Sequence, residues 1–311
     1  MRVFIAGGSG TIGVPLVRAL VANGHQVIAL TRSAGKREEL RGLGAEVAVA
    51  DALDRDALVR AVEAARPTHV VHQLTALPKD GPRRSSDLAA TNRLRTEGTR
   101  NLLDAAINAG ARRLVAGSFA MLSDRGAAGT ESDREPAGTK PEDEAANAVR
   151  SMEAQVLEAT RRGSIEGVVL RYGMFYGLDT PSTIAMIDMV RKRRLPVIRG
   201  DAGQLPLIHI DDAVSATVRA LDNAPAGSAL DIVDDHAASF TEIVQALAEY
   251  TGSPAPFRVP AWLPRLVAPY MARLTSLRMP LSNANAKAVL GWRPKYPTMR
   301  DGLARVFRHA A

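Results

Sequence analysis

The sequence predicts an α/β fold, a doubly wound parallel sheet with a smaller C-terminal lobe, on three observations. The apolar run Val3-Phe4-Ile5-Ala6 breaks into glycines at 7, 10 and 13 and resumes as the helical pattern Ile12, Leu16, Val17, Leu20, Val21. Strand-like and helix-like runs then alternate as far as residue 170, an order that right-handed crossovers turn into a parallel sheet. Beyond residue 170 the rhythm loosens into shorter, proline-bearing segments.

Each element is set by its pattern. His25–Leu30 reads as a second strand and Glu46–Ala50 as a third, with Asp54 capping the helix that carries Leu58, Val62 and Ala65. Val70–Leu74 is a fourth strand, and His72 within it reads as a packed residue rather than a base. Ala90–Ala109 is a long helix, and the strand Leu114–Ser118 comes after it. Residues 123–147 read as a long polar loop at the crevice mouth, a lid or a surface insertion, with a helix from Ala148 to Arg162 and a strand from Gly167 to Leu170 after it. Ile184–Arg194, the start at Asp211-Asp212 and Phe240–Tyr250 predict three more helices. Leu207–Ile210 and Ala229–Val233 predict two strands, and Leu290-Gly291 a glycine-capped helix end. The expected organisation is a nucleotide-binding domain over 1–170, rejoined by 205–235, and a substrate lobe from 171–204 and 236–311.

Composition narrows the class. A chain of 311 residues with 46% hydrophobic content supplies a large core. No stretch has the apolar length of a membrane span and the N-terminus has no signal-peptide order, so a soluble, cytoplasmic protein without a membrane partner is expected. The absence of cysteine rules out disulfides and thiolate sites, and no metal site is expected. The net charge of +7 is spread along the chain, with Arg191-Lys192-Arg193-Arg194 as its one dense run, read as a solvated helix end. With aromatics at 4% there are few stacking platforms, so no nucleic-acid partner is expected.

The glycines carry the chemistry. Gly7, Gly10 and Gly13 allow a tight turn, a close backbone approach to a pyrophosphate and close helix packing, while the helix N-terminus offers N–H groups to the anion. This predicts a Rossmann-type dinucleotide site that takes in Ser9, Thr11 and Ile12. At the end of the second strand stands Arg32, with Ser33, where a carboxylate would select NAD; an arginine there pairs with the 2′-phosphate of NADP. NADP is therefore the expected cofactor, with NAD as the alternative. Asp51, Ala52 and Leu53 reach the adenine side of the same crevice, and Leu74, Thr75, Ala76, Gly117 and Tyr172 line it further along the strand ends.

Taken together, Gly7-x-x-Gly10-x-x-Gly13, Asp51-Ala-Leu-Asp54, Leu170-Arg171-Tyr172-Gly173-Met174-Phe175-Tyr176-Gly177, His209-Ile210-Asp211-Asp212 and Leu290-Gly291-Trp292-Arg293-Pro294 resemble the extended short-chain dehydrogenase/reductase superfamily, in its NAD-dependent epimerase/dehydratase branch. The resemblance covers almost the whole chain. It implies oxidoreductase or epimerase chemistry on a small carbonyl or alcohol substrate and a homodimer through the helices at 90–109 and 148–162. It also implies a serine, here Ser118, with a tyrosine and a lysine four residues apart that handle the proton. Those two positions fall at about Ala145 and Val149, and none of the five tyrosines has a lysine four residues on.

The missing pair leaves three readings. Another hydroxyl supplies the proton, with Tyr172 as first candidate; water or a loop residue such as Lys140 supplies it; or the protein binds NADP(H) without turnover, as a sensor or structural subunit. A redox-neutral epimerisation is a further alternative, although Gln204-Leu205-Pro206-Leu207 lacks the arginine expected for a nucleotide sugar. Arg32→Ala is expected to weaken NADP binding at least about tenfold while leaving NAD nearly unchanged, because only the phosphate uses the guanidinium fork. Calorimetric titration with both cofactors checks it, and equal losses would remove Arg32 as the phosphate reader.

Overall fold

The first strand, β1 (Arg2–Ala6), has Val3, Phe4, Ile5 and Ala6 entirely out of solvent, as a central parallel strand covered on both faces requires. The computed structural model describes residues 1–78, 81–122, 141–178, 180–200, 203–279 and 281–308. After β1 come α1 (Gly13–Ala22), β2 (Gln26–Thr31), α2 (Arg37–Gly42), β3 (Glu46–Val49), α3 (Arg55–Ala65) and β4 (His69–His72). Next, α4 (Ala89–Arg93) runs through a π-helical turn, Leu94–Gly98, into α5 (Thr99–Asn108), β5 (Arg113–Phe119), α6 (Pro141–Arg161) and β6 (Glu166–Tyr172). The remainder comprises β7 (Met174–Tyr176), α7 (Pro181–Arg191), β8 (Val197–Ile198), β9 (Leu207–His209), α8 (Ile210–Asn223), β10 (Ala229–Ile232), α9 (Phe240–Thr251), β11 (Arg258–Val259), α10 (Trp262–Val267), α11 (Pro269–Thr275), α12 (Ala284–Leu290) and α13 (Met299–Arg308).

Seven strands form one parallel sheet in the order β10-β6-β5-β4-β1-β2-β3. The order reverses between β1 and β4, and a ligand crevice opens at the carboxyl ends of the strands at such a point. Alternation along the strands sorts side chains to two cores. Val115, Val168 and Leu170 pack with α1, α8 and α12 on one face, while Leu114, Ala116 and Val169 pack with α3, α5 and α6 on the other. A third core, including Val190, Leu205, Val244, Leu247 and Leu303, organises the C-terminal part around the parallel pairs β7–β9 and β8–β11.

The tail is tied back through polar groups. The Asp212 carboxylate accepts from the backbone N–H of Lys295 at 2.7 Å and Tyr296 at 3.0 Å, and the buried Trp292 donates its indole N–H to Ser215 Oγ at 2.9 Å. Gly291 closes α12 at φ 59°, the left-handed cap that its position after Leu290 predicts. Asp54 caps α3 as expected, accepting from Ala57 N–H at 3.0 Å.

Two elements differ from the expectation. The helix expected from Ala148 begins at Pro141, since proline suits a first helical position and Glu144 favours the positive end of the helix dipole. The rest of the expected loop, residues 123–140 with Lys140, lies outside the described residues. The helix expected over 90–109 is interrupted by the π turn, which adds a residue to one turn and shifts the helical phase from Thr99 onward.

His72 is buried on the α5 side of the sheet. Its Nδ1 accepts from Leu74 N–H at 3.2 Å, so its proton sits on Nε2 and reaches Thr99 Oγ1 at 2.8 Å. Burial, aided by the charge of Arg95, lowers its pKa to about 4. The folded state therefore binds fewer protons than the unfolded chain between pH 6.5 and 4, so the stability due to His72 is complete above pH 6.5 and declines as pH falls. Over that window the wild type is expected to lose about 3 kcal/mol more than His72→Asn, read from urea midpoints at each pH; parallel loss in both proteins would show that His72 is not the linked group.

Candidate active site

The turn after β1 is shaped by what cannot fit in it. Gly7 has φ +93°, and a Cβ there would lie 2.5 Å from the Gln73 carbonyl oxygen. A Cβ on Gly13 would overlap the Gly7 carbonyl oxygen and lie 2.8 Å from that of Gly8, so α1 starts directly against the turn. Gly10 N–H donates to the Gly7 oxygen at 3.0 Å, and Gly8 N–H donates to Leu30 O at 3.2 Å, binding the loop to β2. The cradle is one that side chains would fill. With the start of α1 behind it, its shape fits a pyrophosphate. Ser9 and Thr11 stand on its outer side, and Ser9 Oγ lies 3.1 Å from Thr31 Oγ1 at the end of β2.

The neighbouring strand ends come together along the same edge. The Arg32 guanidinium is half-exposed and 4.0 Å from an Asp51 carboxylate oxygen, while Ser33 N–H donates to Thr31 Oγ1 at 3.2 Å. Asp51 accepts from Leu53 N–H at 2.9 Å and Asn101 donates to the Ala52 carbonyl at 3.0 Å, which fixes the turn after β3. Beyond β4, Leu74 is held through His72, and Ala76 N–H donates to Thr91 Oγ1 at 3.0 Å. Thr75 sits between these two anchored residues.

Ser118 and Tyr172, the two hydroxyls expected to serve a substrate, point to opposite faces of the sheet. Ser118 faces α6, where its Oγ donates to Glu153 at 2.5 Å. Glu153 is buried and also accepts from Arg171, Nη2 at 2.6 Å and Nε at 3.1 Å from both oxygens. Tyr172 faces α8 and accepts from Gln73 Nε2 at 3.0 Å. It lies 2.7 Å from Thr217 Oγ1, whose own proton goes to Ala213 O, so Tyr172 is the donor in that contact. Burial pushes the phenol up to about 12. The Tyr172 hydroxyl, expected as proton donor and cofactor contact, is thus engaged within the core by Gln73 and Thr217. Tyr172 and Gln73 instead form the wall that excludes a side chain at Gly117, where a Cβ would lie 2.8 Å from the ring.

Ala145 and Val149 fall on the inward face of α6 with Met152 and Val156, all buried. Two charged residues that the helical pattern alone would leave in solvent also belong to this region. Glu153 collects Ser118 and Arg171, and Arg95, in the π turn, is only 8% exposed. A charge at a buried helical phase was the available signal, and the usual reading of such a residue is a solvated face.

Residues 3–233 match the model of a family described as NAD dependent epimerase/dehydratase. Over 314 aligned residues, covering 98% of this chain and 100% of the relative, the chain is 41% identical to a 3-diazoavenalumate denitrifying reductase of a Streptomyces species. It is 27% identical to a 2-alkyl-3-oxoalkanoate reductase of Stenotrophomonas maltophilia, over 82% of this chain and 77% of that one. The fold matches that of a UDP-glucose 4-epimerase of Thermus thermophilus solved with NAD, with a TM-score of 0.77 at 24% identity over 99% and 98% of the two chains. Gly13→Ala is expected to abolish dinucleotide binding, because its methyl would meet the Gly7 carbonyl. Fluorescence titration with reduced cofactor checks this, and binding within about twofold of wild type would mean that the turn is not the phosphate cradle.

Proposed function

The chain belongs to the NAD-dependent epimerase/dehydratase family, and from that premise we propose that it is an NADPH-dependent reductase whose substrate accepts a hydride without a proton from the protein. The observation that carries this reading is the state of the proton donors among the described residues of the site. Ser118 gives its proton to Glu153, Tyr172 gives its proton to Thr217, and alanine and valine occupy the positions where the resemblance expects a tyrosine and a lysine.

A carbonyl is a poor partner for such a site, since hydride addition leaves an alkoxide that must be protonated. An arenediazonium is a better one, and the kinship with a reductase named for denitrifying a diazo compound, at 41% identity, supports it. A nicotinamide held there would supply a hydride, and replacing dinitrogen by hydride at the aryl carbon, with the C–N bonding pair leaving on dinitrogen, balances without a proton. The chain's own part is to hold and shield. Gly7, Gly10 and Gly13 receive the pyrophosphate, Arg32 and Ser33 the 2′-phosphate, and Asp51 the adenine side. The Glu153–Arg171 pair fixes the Ser118 hydroxyl at the end of β5. The homodimer through the α4–α5 and α6 helices belongs to the same reading.

With 4-carboxybenzenediazonium and NADPH, the purified protein is expected to oxidise the cofactor in step with release of dinitrogen and benzoate, above the uncatalysed background. Tyr172→Phe is expected to keep kcat within about twofold. Turnover confined to a panel of ketones, or a large loss of kcat in Tyr172→Phe, would overturn the reading.

A further inference from the structure

Arg95 is a cation buried in the π turn between α4 and α5, only 8% exposed. Among the described residues, none forms a hydrogen bond or ion pair with its guanidinium, and no aromatic ring lies beneath it. The charged and titratable groups acting on it come from three elements: Glu153 of α6, Tyr270 of α11 and His72 of β4. His72 is neutral, as its hydrogen bonds require, and Tyr270 is a half-buried phenol whose pKa is raised by that burial.

Among the described residues that leaves one carboxylate, Glu153, for two guanidiniums. Arg171 takes both of its oxygens, and Ser118 donates to one of them. Among the described residues, Arg95 therefore has no carboxylate of its own. Removing a guanidinium from water without a counter-charge is strongly unfavourable. An anion that arrives with the ligand would offset that cost. The position of Arg95 is also suited to receiving it, because the π turn carries Arg95 on the buried side of the helix, where α6 packs.

We infer that Arg95 is the anion-binding residue of the substrate site and receives a carboxylate on the substrate, an assignment that rests on the reductase reading above. A guanidinium fork matches the two oxygens of a carboxylate, which would give Arg95 the counter-charge that it lacks among the described residues.

Three measurements on the full chain loaded with NADPH test this. In calorimetry, benzoate is expected to bind wild type and to weaken at least about tenfold in Arg95→Met, with partial recovery in Arg95→Lys, while methyl benzoate distinguishes none of the three. In turnover, the same loss is expected in KM for 4-carboxybenzenediazonium but not for its methyl ester, with kcat little changed. The melting temperature separates a binding role from a structural one: replacing an uncompensated buried charge by an apolar chain of similar length leaves stability equal or higher. Benzoate binding equally tightly to wild type and Arg95→Met, or a fall in melting temperature with unchanged benzoate affinity, would overturn the assignment. Benzoate binding that depends on Arg95 without any diazonium turnover would uphold the anion site and reject the reductase reading instead.

Discussion

The contact between the Gly7 carbonyl and the start of α1 sets the geometry on which the rest of the site depends. Because Gly13 has no side chain, α1 begins so near that oxygen that a Cβ would overlap it, and Gly7 in turn lies against the Gln73 backbone of the segment after β4. Two strands and a helix are thus brought together at the point where the strand order reverses. A helix held this near the strand ends presents its N-terminal N–H groups to the crevice, where an anion can use them.

The glycine turn and the parallel sheet were legible because each depends on local sequence: spacing, absence of a Cβ, or the alternation of strand and helix patterns. Ser118 and Tyr172 show where that legibility stops. They sit at the ends of paired strands and look equivalent in sequence, yet the β5–β6 register pairs Gly117 with Leu170, Ser118 with Arg171 and Phe119 with Tyr172. Alternation then sends Ser118 and Arg171 to the α6 side and Tyr172 to the α8 side. A hydroxyl's face is decided by register, which only the assembled sheet fixes.

Arg95 and Glu153 were illegible for a different reason. A charged residue in a helix is by default on the solvated face, and that default fails only where another element covers it. Thr91, Arg95 and Thr99 share the buried side of the helix that passes through the π turn, and α6 packs over it. The amphipathic pattern did mark an inward face, but its polar members, Thr91, Thr99 and Asn101, lie buried on it alongside Leu102.

The distribution of protons across the sheet ties these features together. On the α8 side Tyr172 and Thr217 pass a hydrogen bond inward to the Ala213 carbonyl, and on the α6 side Ser118 points its proton at a carboxylate already gripped by Arg171. Neither chain ends in a donor aimed at the crevice. What the α6 side offers instead is positive charge in a place shielded from water, where electrostatic interactions are stronger than at a surface. On the proposed reading, an anionic molecule is held and oriented there while bond making needs no proton, in place of stabilising an alkoxide by proton transfer.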